Sequence, residues 1–179
     1  MEDKDLLEKL RDAESRNFGF NILVRKYQQK VYWHIRKMVI DHDDANDLTQ
    51  EVFIKIHKNL GNFRQDSQLY TWIYRIATNE CLNFLQRKKR RFFLPVRNVE
   101  AELAEKIASA PYVSGDEVQV KLQKAMLKLP DKQRLVFNMK YFDDLSYEEI
   151  AEITITSVGA LKASYHLAVK KIEDILRRD

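Results

Sequence analysis

Apolar residues recur along this chain at steps of three and four, and no stretch alternates at steps of two, so the elements it predicts are helices. Leu6, Leu7 and Leu10 open a short amphipathic helix, and Phe18, Ile22, Leu23, Tyr27, Val31, Ile35 and Met38 form the inward stripe of a long one. After a polar loop, Asp41 to Asp44, a third helix is expected from about Asp44 to Leu60. It buries Leu48, Val52, Ile56 and Leu60 and places Asp47, Glu51 and Lys55 together on another face. A fourth pattern divides cleanly. Ile73, Ala77, Cys81 and Phe84 point inward, while Arg75, Asn79, Asn83, Gln86 and Arg90 point outward.

Near the C-terminus, Ser146 followed by Glu149 fits a capping box, and Ile150, Ala151 and Ile153 then give the apolar side of a helix of about two turns. After Thr154, Ile155 and Thr156, Ser157 can cap a second helix whose inward stripe is Val158, Leu161, Tyr165, Val169, Ile172 and Leu176. Lys162 and His166 are left facing out. Two helices across so short a gap predict a helix-turn-helix, whose second helix enters a DNA major groove. A plain helical hairpin produces the same pattern.

With 179 residues, 45% of them hydrophobic, the chain can build a core in each of one or two small domains. Four Gly and three Pro favour an all-α chain. Charge then divides it. Residues 1–85 carry 13 Lys/Arg against 13 Asp/Glu, 86–97 six against none, 98–118 one against five, and 119–179 eleven against nine. A basic end on one module is thus followed by an acidic connector punctuated by Pro95, Pro111, Ser114 and Gly115, in which Glu100 to Ala110 reads as transiently helical. The expected organisation is two helical domains, 1–91 and 118–179, joined by a flexible linker, 92–117. No apolar run approaches the roughly 18 residues of a membrane span, and MEDKDLLEKL is charged where a signal peptide is apolar, so a cytoplasmic protein is expected. The lone Cys81 excludes an internal disulfide and is consistent with a reducing compartment.

Phe63, Tyr70, Trp72 and Tyr74 surround a polar loop, Arg64 to Gln68. Outward Asn79 and Asn83 are poor core material and suit hydrogen bonding to base edges, and aromatics suit stacking on unpaired bases at roughly 1–3 kcal/mol each. The run Arg87 to Arg91 suits phosphates. The competing reading makes Trp72 and the tyrosines core and the basic run a solvated helix end. Asp41, His42, Asp43, Asp44 and Asp47 lack the Gly and terminal Glu of a calcium loop and lie where a helix begins, which points to capping. His34, His42, His57 and His166 have no ligand spacing, and no phosphate loop or nucleophile motif is present. No catalytic site, metal, cofactor or small-molecule substrate is expected.

The ordered segments KYQQKVYWHI, DANDLTQEVFIKIHKNL, FRQDSQLYTWIYRIATNECLNFLQR, LPDKQRLVFNMKYFDDLSYEEIAEI and SVGALKASYH resemble an extracytoplasmic-function sigma factor of the sigma-70 family, over about residues 5–90 and 117–176. That resemblance implies a non-enzymatic factor that binds core RNA polymerase, directs it to promoters and helps melt the DNA. It assigns Asp47, Leu48, Gln50, Glu51 and Phe53 to the clamp of the largest polymerase subunit, with the flap region of the second-largest subunit as a further contact. It assigns Phe63, Arg64, Ser67, Trp72, Arg75, Asn79 and Asn83 to the minus-ten element. There a pocket for an unstacked base favours duplex opening without nucleotide hydrolysis. Duplex minus-thirty-five DNA falls to Ser146, Tyr147, Glu148, Gly159, Ala160, Lys162, Ala163, Ser164 and His166. Glu100, Glu102, Glu105, Asp116 and Glu117 would then occupy a basic polymerase channel, where the alternative is an acidic surface linker. An anti-sigma factor or a response regulator is the expected style of control.

Two departures bear on the second helix. Ile155 stands where many members have Gly in the turn, and Ser164 and Leu167 stand where many have Arg, which predicts weaker direct readout and more dependence on DNA shape. Two other readings remain open at this level. A stand-alone helix-turn-helix regulator acting on operator DNA accounts for the C-terminal module but gives the Asp47/Glu51 face and Asn79/Asn83 nothing to do. A helical adaptor that binds only protein would lack steep salt dependence of DNA binding.

Overall fold

The computed structural model describes residues 3–64, 66–91, 104–107 and 117–178. Among them every regular element is helical. The N-terminal helices are α1 (Asp3–Arg11), α2 (Arg16–Val39), α3 (His42–Asn59) and α4 (Leu69–Arg91), with a 3-10 turn Leu60–Asn62 after α3. The C-terminal helices are α5 (Glu117–Leu127), α6 (Asp131–Phe137), α7 (Tyr147–Thr154) and α8 (Val158–Leu176).

α2 is the spine of the first group, packed on α1, α3 and α4. Its stripe Leu23, Tyr27, Val31, Ile35 and Met38 is buried as the spacing requires, whereas Phe18 is exposed. α1 crosses α2 so closely that a Cβ on Gly19 would lie 3.1 Å from the Lys9 Cβ and 3.3 Å from the Leu10 backbone nitrogen. Tyr27 fastens the same crossing by donating its hydroxyl proton to the Asp3 carboxylate at 2.8 Å. α3 begins at His42, two residues earlier than the pattern indicates, because the Asp41 carboxylate caps it by accepting the Asp44 N–H at 2.9 Å. Two acids of the cluster there are paired with protein cations: Asp41 meets Lys106 at 2.7 Å and Asp44 meets Lys88 at 2.8 Å.

In the second group α8 packs on α5, α6 and α7. α6 runs on into a π-helical stretch, Asn138–Phe142, which the spacing of its apolar residues does not announce. α7 opens with the capping box: Glu149 N–H donates to Ser146 Oγ at 3.2 Å, and Ser146 N–H donates to Glu149 Oε2 at 2.7 Å. Ser157 caps α8 by accepting the Ala160 N–H at 3.2 Å. Between them Ile155 ends α7 in the left-handed region, at φ 53° and ψ 49°, with 77% of its surface exposed. Leu161 and Ile172 are buried as expected and Ala168 joins them, but Leu176 keeps 37% of its surface exposed.

The two groups close on each other. α4 packs on α6 and α7, and α2 on α6, so that Leu135, Val136, Met139, Ile150, Ile153 and Leu161 share one apolar cluster with the buried residues of α1 to α4. Arg134 Nη2 donates to the Met38 carbonyl at 2.9 Å inside that contact. Most of the connector, including Glu100, Glu102 and Asp116, lies outside the described residues. Its helical turn 104–107 is docked: Ile107 is buried with Ile40 and Leu127. Glu105 and Glu117 are exposed.

Candidate nucleic-acid and polymerase interface

α4 buries Leu69, Ile73, Ala77, Cys81 and Leu85 and leaves Asn79 and Asn83 exposed on the opposite side. Phe84, expected inward, is only half-buried, and Leu85 takes the core position. Glu80, also on α4, is buried and paired with Lys55 of α3, which ties the two helices together. Burial drives the Cys81 thiol pKa well up, so this sulfur is a core atom rather than a reactive one. Trp72 is half-buried with its ring centroid 5.0 Å from that of Phe63, at 44°. It therefore supports the Phe63 loop from below while keeping part of its surface in solvent. Arg64 is exposed and Ser67 half-buried at the loop, and Gln65 lies outside the described residues. Arg75 is half-buried, and its Nη2 donates to the Glu152 carbonyl of α7 at 2.7 Å.

The helix expected to meet polymerase divides differently from the resemblance. Asp47, Gln50 and Glu51 are exposed and form an acidic ridge on α3. Leu48 and Phe53 point into the core at 2% and 7% exposure, so they hold the ridge in place and are not surface contacts. The apolar side chain this helix does present is Ile54, at 55% exposure. Nothing in the heptad-like stripe marks it, because it falls between the buried Phe53 and the polar Lys55. Within the basic run, Lys88 and Lys89 are engaged by Asp44 and Asp131, while Arg87 and Arg90 are exposed.

Residues 23–91 match the model of sigma-70 region 2, and residues 119–172 match that of sigma-70 region 4. The chain belongs to the sigma-70 family. It is 35% identical to the RNA polymerase sigma-H factor of Pseudomonas aeruginosa over 98% of its length and 94% of that protein. With the extracytoplasmic-function sigma factor SigW of Bacillus subtilis the identity is 32% over 89% of both chains. It is likewise 32% with the Escherichia coli sigma-E factor over 98% of this chain and 97% of that one. This sigma factor is accordingly of the extracytoplasmic-function type. Among solved structures, CnrH in complex with the cytosolic domain of CnrY aligns at a TM-score of 0.70 with 22% identity, covering 99% of this chain and 98% of that one. The sigma factor RpoE of Bartonella quintana, bound to the anti-sigma factor NepR, aligns at 0.69 and 22%, covering 89% and 98%. Both alignments report the shared fold.

In this sigma factor the region-4 helices present Gly159, Ala160, Lys162, Ala163 and His166 on the open side of α8, with Ser164 half-buried. A Cβ on Gly159 would meet nothing within 4 Å, so no close packing demands glycine there. Ser146 and Tyr147 are half-buried and Glu148 exposed at the start of α7. The Tyr147 ring lies between two cations, Lys140 Nζ at 5.3 Å and Lys162 Nζ at 5.8 Å from its centroid. Lys140 is thus a basic neighbour of the candidate DNA face that sequence spacing missed, since it comes from the π-helical stretch.

The closed arrangement brings the two candidate DNA faces together. Thr78 and Asn79 of α4 and Ala160 and Ser164 of α8 line one crevice of about 390 Å³. A second hollow of about 500 Å³ is lined by Lys30 and Trp33 of α2, Tyr70 and Tyr74 of α4, and Asp143 after α6. Burial raises the Tyr70 pKa to about 12 and drives that of Tyr74 higher still, so both phenols stay protonated.

Proposed function

We propose that this sigma factor binds core RNA polymerase, directs it to promoters bearing minus-ten and minus-thirty-five elements, and assists melting by capturing unstacked bases, without catalysing a reaction itself. Its place of work is the cytoplasm, and among the described residues no helix is long and apolar enough to cross a membrane. The observation that carries this reading is the ordered pair of family matches, region 2 over 23–91 and region 4 over 119–172, on a chain whose α4 leaves Asn79 and Asn83 in solvent. A stand-alone operator-binding regulator accounts only for the second match.

In this reading the working units are residues 1–91 and 118–179, joined by 92–117. The acidic ridge Asp47, Gln50 and Glu51 meets the clamp of the largest polymerase subunit, with Ile54 as its apolar contact and charge setting the register. Phe63, Arg64 and Ser67, with Trp72 beneath them, surround a flipped non-template base, and Arg75, Asn79 and Asn83 face the rest of the minus-ten strand. Lys162, His166, Gly159, Ala160, Ala163 and Ser164 face the minus-thirty-five major groove, with Ser146, Tyr147 and Glu148 beside its phosphates and the flap region of the second-largest subunit holding this unit. A partner of the anti-sigma class, as in the Bartonella complex, is the expected form of control.

Run-off transcription with purified core polymerase and genomic fragments tests this. Discrete transcripts that start only when the protein is added are the expected result, and their aligned upstream sequences give both elements. Unaided DNA binding with no change in initiation would instead favour the operator-binding regulator.

A further inference from the structure

Asp143 lies in the loop after α6, yet its carboxylate is inserted into the region-2 helices. Its Oδ1 accepts from Lys37 Nζ of α2, and its Oδ2 stands 3.9 Å from His34 Nδ1. His34 is 2% exposed and is oriented by its Nε2, which pairs with Thr78 Oγ1 of α4 at 2.9 Å. Tyr70 and Tyr74, with ring centroids 4.2 Å apart, and Lys30 and Trp33 complete the walls. The fit is incomplete at one place. Asp143 Oδ2 and His34 Nδ1 are both buried, and neither has a hydrogen-bond partner.

A buried carboxylate oxygen facing a buried ring nitrogen across 3.9 Å is a costly residue of an imperfect match. A planar carboxylate reaches Lys37 but stops short of His34. A phosphodiester group is larger, holds its oxygens tetrahedrally, and could accept from both. Lys as a point cation and a ring N–H are ordinary phosphate ligands, and the aromatic walls suit the sugar and base that accompany a phosphate. The hollow and the crevice at the DNA face of α4 are separate, but they are linked through one helix: Thr78, which orients His34, lines the crevice together with Asn79.

We propose that Lys37 and His34, walled by Trp33, Tyr70 and Tyr74, form a binding site for a backbone phosphate of promoter DNA, and that Asp143 occupies this site as an internal substitute while the chain is closed. The proposal rests on the sigma-factor reading above. It makes Asp143 a competitor of DNA that departs when region 4 swings away, and Lys37 a positioning contact that is the same for every promoter sequence.

The test measures binding of a fluorescent promoter oligonucleotide, with an unpaired minus-ten strand, as a function of salt. In the complex of core polymerase with the full chain, Lys37→Ala is expected to weaken binding about three- to tenfold. It should also make the slope of log K against log salt shallower by about 0.7 to 0.9, the signature of one lost phosphate contact. Lys37→Arg should restore both. With the chain alone, Asp143→Ala should raise DNA affinity several-fold, and that gain should vanish in the Lys37→Ala, Asp143→Ala double variant. An unchanged slope for Lys37→Ala, in a variant whose circular dichroism and melting match the parent, would overturn the phosphate site. A changed slope with no effect of Asp143→Ala would overturn the substitution by Asp143. Should the unaltered complex itself show no preference for promoter over random DNA, the sigma-factor reading would fail instead, and the two failures are distinct.

Discussion

Ile155 is the residue whose local conformation conflicts most plainly with its chemistry. A β-branched side chain in the left-handed region crowds its own backbone, at a cost of roughly 1–2 kcal/mol, and with 77% of its surface exposed Ile155 has little burial to offset that. Glycine relieves the crowding but loses about 0.5–1 kcal/mol of chain entropy, so Ile155→Gly is expected to stabilise the fold by about 0.5–1 kcal/mol. Urea midpoints compared at constant m-value measure this, and a lower midpoint would mean that the isoleucine side chain makes a compensating contact. Leu48 and Phe53 carry the opposite lesson. Their motif places them among polymerase contacts, but helical spacing places Leu48 in the buried stripe, and burial in the fold agrees with the spacing. A motif records that residues travel together, while exposure decides which of them can touch a partner.

Two helix starts were legible from local signals, while that of α3, capped by Asp41, was expected two residues late. Ser146 with Glu149 and Ser157 with Ala160 act within three residues, and the structure has both caps as the order of residue types requires. The outward face of α4 was equally readable, because Asn79 and Asn83 one turn apart have no place in a core. What else failed was non-local. The π-helical stretch after α6, the exposure of Phe18 and Leu176, and the docking of the connector turn at 104–107 depend on what lies across the fold. Asp41 joins both kinds of information, since it caps α3 locally and holds Lys106 of the connector at 2.7 Å. The Lys106 hydrogen bond and the Asp44 N–H outweigh partial burial and hold its pKa down at about 2. A folded value below the unfolded one of about 4 means that this group's stabilisation is complete above about pH 4 and is lost as pH falls towards about 2. Asp41→Asn keeps a cap acceptor but removes the charge. Its stability should fall by less than about 1 kcal/mol at neutral pH, and its stability profile should be flatter than the parent's between about pH 4 and about pH 2. Urea midpoints taken across that window measure it, and parallel profiles would remove Asp41 as a source of the acid sensitivity.

At the scale of the molecule, closure is the property that neither half encodes alone. Lys37 and Asp143 are separated by 106 positions, and Arg75 and Glu152 by 77, so no window along the chain could have paired them. For the proposed function this matters, because Asn79 and Ser164 line the same crevice, and the DNA contacts proposed for each could not both form while it stays shut. It is also thermodynamic. One apolar cluster runs from Leu23 and Ile73 to Val136 and Leu161, so the free chain should unfold as a single cooperative unit. The two tryptophans, Trp33 and Trp72, both lie in the region-2 helices, so their fluorescence reports chiefly that half, with Trp33 also sensing Asp143 across the hollow, while far-ultraviolet circular dichroism reports every helix. The two signals are expected to coincide in a urea titration of the unaltered protein. Val136 is 5% exposed and lines the crevice opposite Thr78, so Val136→Asp puts a charge into the contact between the halves. Its dichroism should acquire a second, earlier step that tryptophan fluorescence follows only in small part, through Trp33, as the region-4 helices melt apart from an intact region 2. Two steps already present in the unaltered protein would show that the apolar contact carries no cooperative free energy in solution, and the masking of α4 by region 4 would then be too weak to limit access to DNA.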